Sequence, residues 1–156
     1  MLRSDNITEV FYVDNNKFVG TVPVSYGSLA DLQTLYIFNN DLTGTIPTEV
    51  GQLVDLIDFQ LYNNAFTGRL PSELGKCYKL KKLEAQDNKF TGVVPADIGA
   101  IEQLQILKLY RNDLTGSMPK EICNARTNFM LDFIGADCNT DDSGTLACAC
   151  CTACYP

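Results

Sequence analysis

The stretch NNDLTGTIP, from Asn39 to Pro47, decides the fold because the chain repeats it. Near-copies of it are NNKFVGTVP, NNAFTGRLP, DNKFTGVVP and RNDLTGSMP. The second residues of the copies are evenly spaced along the chain, at Asn16, Asn40, Asn64, Asn88 and Asn112. A fixed period of about 20–50 residues is typical of a solenoid or a similar array, in which like units stack on one another.

Apolar residues keep the same period and predict one continuous core. The first apolar column contains Phe11, Leu35, Phe59, Leu83, Leu107 and Leu131, and the second contains Val13, Ile37, Leu61, Ala85, Leu109 and Phe133. The residue between the two columns points the other way, which predicts a short strand with one buried face in each unit. Stacking pairs these strands into a parallel sheet, about 4.8 Å apart. The residues from Pro47 to Glu49 predict a short helical turn, α or 3₁₀.

The repeated unit resembles a known family. From Leu29 to Leu53 it reads L-x-x-L-x-x-L-x-I-x-x-N-x-L-x-G-x-I-P-x-x-V-G-x-L, which resembles the plant-type extracellular leucine-rich repeat over roughly residues 5–123. The resemblance implies an α/β solenoid wound as a right-handed superhelix, with a parallel sheet on its concave face and short turns on its convex side. It also implies a second, short sheet at the x-G-x-I-P segment and a role in binding.

This interpretation divides the chain into two parts. Residues 1–123 would form five repeats, of which the first is atypical. Residues 124–156 would form a degenerate sixth repeat, which keeps Leu131 and Phe133 and has Ala136 in the place of the asparagine, followed by a cysteine-rich cap.

The five aligned asparagines are predicted to be structural. The resemblance implies that they form an internal ladder, and elementary chemistry agrees, because the chain must turn out of each strand with buried main-chain groups. An inward amide side chain offers donors and an acceptor for those groups. Leaving such groups unpaired costs about 1–3 kcal/mol each.

The cysteines are unevenly placed. Cys77 stands alone in an apolar column, which predicts a buried free thiol. The other six follow the last clear repeat: Cys123, Cys138, Cys148, Cys150, Cys151 and Cys154. A solenoid exposes apolar core at each end unless it is capped, so these six predict a disulfide-stapled cap formed in an oxidising compartment.

The cysteine-rich tail allows two interpretations. Its sequence, CACCTACYP after DCNTDDSGTL, resembles the caps of secreted leucine-rich-repeat proteins from diatoms and related algae. The competing interpretation is a zinc or redox centre, since the tail contains C-x-x-C pairs. Adjacent cysteines and the absence of histidine do not fit common zinc spacings.

The N-terminal region points to secretion without showing a signal peptide. Asn6 begins the N-glycosylation sequon Asn6-Ile7-Thr8. No apolar segment of a signal peptide is visible, so the chain is mature, truncated or cytosolic, and the cysteines favour an extracellular protein. The first unit has polar residues where later units have leucine. Either earlier sequence is missing or a partner covers this end, and an uncovered sheet edge favours self-association.

Composition excludes several classes of function. The net charge is −7 without runs of like charge, which argues against nucleic acid and anionic membranes as partners. No apolar run approaches the about 18 residues needed to cross a bilayer. The chain has no histidine, no G-x-S-x-G motif and no glycine-rich phosphate loop. We therefore expect no catalysis, no cofactor and no metal.

The candidate binding residues are the outward positions of the predicted strands, because their residue types change from unit to unit. Exposed aromatic residues there are favoured as interface hot spots, although aromatics also simply pack on each other across strands. A peptide, a protein or an extracellular glycan would suit this surface. The candidates are Tyr12, Tyr36, Phe38, Asp58, Gln60, Tyr62, Glu84, Gln86, Lys108 and Tyr110.

The second predicted sheet carries a different surface pattern. Its outward column reads Val19, Thr43, Thr67, Thr91 and Thr115, and a threonine ladder suggests ice binding. Two positions on, however, the column reads Thr21, Thr45, Arg69, Val93 and Ser117, which breaks the regularity. A solvated strand with β-favouring residues explains the pattern better.

The sequence thus favours a non-enzymatic extracellular binding module with a concave recognition face. Two alternatives stay open. One is a structural subunit that assembles through the uncapped end, and the other is part of a receptor ectodomain.

Overall fold

The computed structural model describes residues 9–128, 130–137 and 146–155. Most units contribute one strand to each of two parallel sheets. The strands are β1 (Val10–Tyr12), β2 (Val19–Gly20), β3 (Thr34–Tyr36), β4 (Asp41–Gly44), β5 (Asp58–Gln60), β6 (Ala65–Gly68), β7 (Lys82–Glu84), β8 (Lys89–Gly92), β9 (Ile106–Lys108), β10 (Asp113–Leu114), β11 (Phe133–Asp137) and β12 (Ala153–Tyr155). The main sheet has the order β1-β3-β5-β7-β9-β11-β12, and the second sheet contains β2, β4, β6, β8 and β10.

Short helices complete each turn of the solenoid. Among the described residues, four 3₁₀ helices occupy Val24–Ser28, Thr48–Gln52, Ser72–Lys76 and Ala96–Ala100. Each follows the proline of its repeat, whose fixed φ suits the residue before a helix. The fifth unit has instead one α-helix, α1 (Lys120–Asn128). The predicted parallel sheets and 3₁₀ turns are therefore confirmed, and the predicted boundary after residue 123 lies inside α1.

The core follows the sequence period through the first five units. The main sheet pairs Phe11 with Leu35, Leu35 with Phe59, and so on to Leu107. From the second unit onward these residues are at most 2% exposed. Cys77 is also fully buried and has a free thiol.

The asparagine side chains form hydrogen bonds between and within coils. The Nδ2 of Asn40 donates to the carbonyls of Val13, Ile37 and Phe38, at 2.9, 3.2 and 3.1 Å. Its Oδ1 accepts from the main-chain amide of Phe18 at 3.0 Å. Asn64, Asn88 and Asn112 repeat this pattern. Each amide group therefore supplies donors and an acceptor where the chain leaves the strand.

The sixth unit departs from the period, and here our prediction was wrong. Strand β11 pairs Ile134, not Leu131, with Leu107, so the pairing falls three positions later than the period predicts. Ile134 and Ala136 are fully buried, while Phe133 is only half-buried beside Ile106. The cause is α1, whose nine residues replace a five-residue 3₁₀ helix.

In this shifted unit, the side chain of Asp137 replaces main-chain acceptors for the preceding coil. Its carboxylate accepts hydrogen bonds from the main-chain amides of Arg111 at 2.6 Å and Asn112 at 3.0 Å. In the other coils, main-chain carbonyls accept the corresponding bonds. Ala136, which we expected in the asparagine position, lies in the core instead.

Candidate binding face

The ten candidate residues lie together on the solvent-facing side of the main sheet, which we call the main-sheet face. One row follows the strand register and contains Tyr12, Tyr36, Gln60, Glu84 and Lys108. A second row, two residues further along each coil, contains Phe38, Tyr62, Gln86 and Tyr110. Ladder hydrogen bonds such as Asn63 N to Gln86 O keep this row in the same register. Asp58 lies two residues before Gln60 and pairs with Lys82.

Four rings form a continuous aromatic platform across the first three coils. Tyr12 stacks on Tyr36 with ring centroids 4.8 Å apart, and Phe38 stacks on Tyr62 at 4.5 Å. A tilted contact of 5.7 Å between Tyr36 and Phe38 joins the two stacks. Such pairs contribute about 0.5–1.5 kcal/mol each beyond the area they bury. Tyr12, at the end of the platform, is 58% exposed. We call Tyr12, Tyr36, Phe38 and Tyr62 the aromatic platform.

The remainder of the face carries paired charges. Lys108 Nζ lies 3.0 Å from Glu84 and Lys82 Nζ lies 3.7 Å from Asp58. In both pairs the cation sits one coil after its carboxylate, and Arg111 pairs in the same way with an acid one coil earlier, at 3.1 Å. This part of the face therefore has little net charge to offer a partner.

Hydrogen bonds connect the platform to these charges. The hydroxyl of Tyr36 donates to Asp58 at 2.9 Å, and Gln60 Nε2 donates to the same carboxylate at 3.0 Å. Burial, followed by this hydrogen bond and the charge of Asp58, raises the pKa of Tyr36 to about 12. Burial also raises the pKa values of Tyr62 and Tyr110. All three phenols therefore stay neutral at physiological pH, and the Tyr36 hydroxyl acts as a hydrogen-bond donor.

The centre of the face is buried although it is polar. Glu84 is 9% exposed and Gln86 is 5% exposed. Gln86 Nε2 donates to Glu84 over a long 3.4 Å, while Gln86 Oε1 is sealed from solvent and has no hydrogen-bond partner within the described part of the chain. A buried acceptor without a donor is rare in proteins, which sets this residue apart from its neighbours.

Tyr155 belongs to this face, and sequence reasoning missed it. Strand β12 adds to the sheet beside β11, and Tyr155 stacks on Tyr110 with ring centroids 3.8 Å apart. Gly135 makes room for this stack, because a Cβ at that position would lie 3.2 Å from the Tyr110 ring and 2.9 Å from Phe133. A three-residue strand in a unique tail carries no repeat signal that could have predicted it.

The cysteine residues of the tail form disulfides around α1. Cys123 in α1 is bonded to Cys150, and Cys148 is bonded to Cys151. Cys154 is also disulfide-bonded. Two predicted residues, Cys138 and the glycosylation candidate Asn6, lie outside the described residues. Burial raises the pKa of the free thiol of Cys77 to about 11, so it is a poor nucleophile.

Neither a metal site nor a membrane span is found in the described ranges. They contain no group of three or more metal-ligating side chains placed to hold a metal ion. They also contain no helix with the length and apolar character that a membrane span requires.

The second sheet does not align its threonines across the strands. Its strands pair Thr43 with Ala65, Thr67 with Lys89 and Thr91 with Asp113, two positions short of the sequence period. The threonines are exposed, but each has a different kind of residue beside it. The surface is therefore no regular threonine lattice.

Comparison with known proteins agrees with this architecture. The Leucine Rich Repeat family model matches residues 31–53 and 103–125. No curated protein sequence matches the chain as a relative.

Solved structures of similar fold include plant receptor ectodomains. The ectodomain of the Arabidopsis thaliana receptor kinase GASSHO1/SCHENGEN3, solved with CASPARIAN STRIP INTEGRITY FACTOR 2, matches with 32% identity, a TM-score of 0.79, and coverage of 83% of this chain and 16% of that one. The plant peptide hormone receptor RGFR1, in complex with RGF2, matches with 35% identity, a TM-score of 0.75, and coverage of 80% and 20%. This chain thus spans a fifth or less of the length of either receptor chain.

A plant ice-binding protein is also similar. It matches with 28% identity and a TM-score of 0.70, over 81% of this chain and 40% of that one.

Proposed function

We propose, from the premise that this chain carries leucine-rich repeats and has the leucine-rich-repeat fold, that it binds a protein or peptide on its main-sheet face without catalysing a reaction. The observation that carries the proposal is the aromatic platform. Four rings in mutual contact lie on rigid strands, where ordered aromatic side chains supply contact area at low entropic cost.

The comparisons support a peptide or protein ligand over other classes. RGFR1 is a plant peptide hormone receptor solved with RGF2, and the GASSHO1/SCHENGEN3 ectodomain was solved with CASPARIAN STRIP INTEGRITY FACTOR 2. We include in the contact surface the ten predicted residues and, from the structure, Tyr155. An extracellular glycan is the second ligand class that we expected, and stacked tyrosines beside carboxylates and amides suit sugars as well.

We propose further that the protein works in an extracellular, oxidising compartment. The disulfides that link α1 to the tail support this location, because such bonds persist where thiols are not kept reduced. Glycosylation at Asn6 and the algal likeness of the cap belong to the same proposal.

Assembly through the first coil is a second candidate function, and one observation favours it. Apolar side chains are exposed at this end, where Phe18 is 50%, Val19 77%, Val24 63% and Val10 46% exposed. Within the described residues, β1 has a paired strand on one side only. Such an edge is a template for pairing with another chain. A role as part of a receptor ectodomain is a third candidate, and it would use the same main-sheet face.

The test of the main proposal uses a random peptide library displayed on phage. Peptides selected on the wild-type protein should lose at least about tenfold in affinity when Tyr36, Phe38 and Tyr62 are changed together to alanine, because buried aromatic contacts dominate interface energies. The matched control is Tyr78→Ala, since Tyr78 is 54% exposed and lies in neither sheet. Circular dichroism should show both variants folded.

The outcomes separate the candidates. Loss of binding in the triple variant alone supports the main-sheet face, and equal retention in both variants overturns it. A wild-type mass by light scattering that rises with concentration, and that Phe18→Asp abolishes, would favour assembly instead.

A further inference from the structure

We propose that Gln86 is the specificity-determining hydrogen-bond acceptor of the main-sheet face, and that it receives a neutral planar donor, the side chain of a tyrosine or tryptophan of the bound peptide, between Tyr62 and Tyr110. The inference rests on the proposed function, because it names the side chain that the peptide would bring to the same face.

The first step concerns the row of side chains that contains Gln86. In the coils before Gln86, Phe38 stacks on Tyr62, and in the coils after it, Tyr110 stacks on Tyr155. Gln86 separates the two stacks, while Asp137 lies in register between Tyr110 and Tyr155, whose rings are in direct contact. Because strands lie about 4.8 Å apart, the main chains that carry Tyr62 and Tyr110 are about two strand spacings apart. The Gln86 side chain lies in this interval and is 5% exposed, so a ligand ring that joins the row would lie over this amide.

The second step concerns how weakly the Gln86 side chain is held. Its Nε2 has one long contact of 3.4 Å with Glu84, and its Oε1 has no donor among the described residues. The oxygen is shielded from solvent. A buried acceptor without a donor costs free energy in the unbound protein, so a turn of this amide towards a ligand that offers a donor is favourable.

Gln60 shows that this situation is particular to Gln86. Gln60 lies on the same face, one coil before Gln86. It belongs to the first row of the face, whereas Gln86 belongs to the second. Its Nε2 donates to Asp58 at 3.0 Å. Its Oε1, unlike that of Gln86, is not among the buried acceptors that lack a donor. Gln60 therefore lacks the feature that distinguishes Gln86, a buried acceptor without a donor.

The third step uses charge to select the ligand group. Glu84 is paired with Lys108, and Asp87 is paired with Arg111, whose guanidinium also lies 5.8 Å from the Tyr110 ring centroid. A second cation at Gln86 would be repelled by Lys108 and Arg111, while an anion would find both cations already paired. A neutral phenol or indole carries a donor on a planar ring and avoids both costs.

The experiment compares small probes by nuclear magnetic resonance. N-acetyl-tyrosine amide and N-acetyl-phenylalanine amide differ by one hydroxyl group, and N-acetyl-arginine amide presents a cation instead. Wild-type protein should bind the tyrosine probe about three- to tenfold more tightly than the phenylalanine probe, which is the difference that one neutral hydrogen bond supplies. The shift should appear at the Gln86 side-chain amide.

Two variants test the assignment. Gln86→Leu should remove the preference for tyrosine over phenylalanine and raise the melting temperature, since it removes an unsatisfied buried group. Gln52→Leu is the control and should keep the preference, because Gln52 is an exposed amide at the end of the 3₁₀ helix Thr48–Gln52 and lies in neither sheet. The peptides selected from the phage library should be enriched in tyrosine or tryptophan on wild-type protein and lose that enrichment on Gln86→Leu.

Several results would overturn the inference: tyrosine preference retained in Gln86→Leu, preference for the arginine probe, or no binding of the tyrosine probe at its solubility limit. If one of these occurs while the triple platform variant still loses the selected peptides, the proposed function stands and the role of Gln86 falls. If the triple variant keeps its peptides, the main-sheet face itself is rejected.

Discussion

The first and fourth coils contain nearly the same motif in different surroundings. NNKFVGTVP spans residues 15–23 and DNKFTGVVP spans residues 87–95. Phe18 of the first coil is 50% exposed, whereas Phe90 of the fourth is fully buried. The local sequence is therefore not what buries the ring. Burial comes from the coils on either side, which only an internal coil possesses.

The asparagines of the two coils differ in the same way. Asn88 donates to Leu61 in the previous coil and accepts from the amide of Phe66. Within the part of the chain that the structure describes, Asn16 donates only inside its own coil, to Val13 and Asp14. This agrees with the general behaviour of solenoids, whose stability resides largely in the interfaces between neighbouring units. Identical substitutions at the two sites should therefore have unequal effects.

The largest difference is expected for the phenylalanines. Phe90→Ala should lower the free energy of unfolding by about 3–5 kcal/mol, because it leaves a cavity beside Phe66, whose ring it stacks on at 6.1 Å. Phe18→Ala should cost less than about 1 kcal/mol, because water already reaches the ring. Urea denaturation of both variants measures the difference. Equal losses would mean that something covers the first coil in solution, and repeating the measurement at several protein concentrations would show whether self-association does so.

The next effect concerns the cap, which makes the C-terminal end unlike the N-terminal one. Helix α1 packs on the 3₁₀ helix Ala96–Ala100 and is bonded through Cys123 to Cys150, 27 residues away. The double variant Cys123→Ala and Cys150→Ala should lose about 3 kcal/mol of stability, as expected for a loop of this length. In a reducing agent, wild-type protein should lose at least as much, because reduction also opens the Cys148–Cys151 bond. An unchanged melting temperature under reduction would contradict the role of the disulfides in the cap.

A third comparison uses the asparagine ladder. Asn88→Ala should cost about 2–3 kcal/mol, because it leaves buried main-chain groups, among them the amide of Phe66, without partners. Asn16→Ala should cost under about 1 kcal/mol, because water can replace its bonds. Hydrogen exchange at the Phe66 amide provides a direct measurement, since its protection should fall in Asn88→Ala. Similar losses at both positions would argue against a ladder that acts between coils.

Repetition explains which parts of the fold the sequence could predict. Each of the five motif copies places its asparagine, glycine and proline in register, so that the period defines strands, turns and core columns together. The sixth unit has no copy to compare with. Because helix α1 is longer than the 3₁₀ helices, Ile134 rather than Leu131 pairs with Leu107. No sequence pattern indicates this three-residue shift. Prediction from the repeat period therefore failed in the sixth unit, where the sequence no longer repeats.

The candidate site was predictable in position but not in detail. Outward strand positions follow from alternation, and the ten residues lie on one face. Whether a polar residue there is satisfied depends on distances between side chains, so the lone acceptor of Gln86 could not be foreseen. The register of the second sheet could not be predicted either. Its strands pair two positions short of the sequence period, and main-chain geometry alone determines that offset.

The smallest expected effect compares two stacked tyrosines, one in the first coil and one in the second. Tyr36 donates to Asp58, and burial together with this bond raises its pKa from 10.0 to about 12. The folded state therefore holds a proton that the unfolded chain releases near pH 10, so stability present below pH 10 should decline as the pH rises towards 12. Tyr36→Phe should flatten this decline. Tyr12→Phe is the control, because the Tyr12 hydroxyl has no hydrogen-bond partner in the described residues. Urea midpoints at about pH 9, 10, 11 and 12 span the shift and give the slopes. An identical slope in wild-type protein and Tyr36→Phe would show that the bond to Asp58 does not stabilise the folded state, and the aromatic platform would then be held by stacking alone.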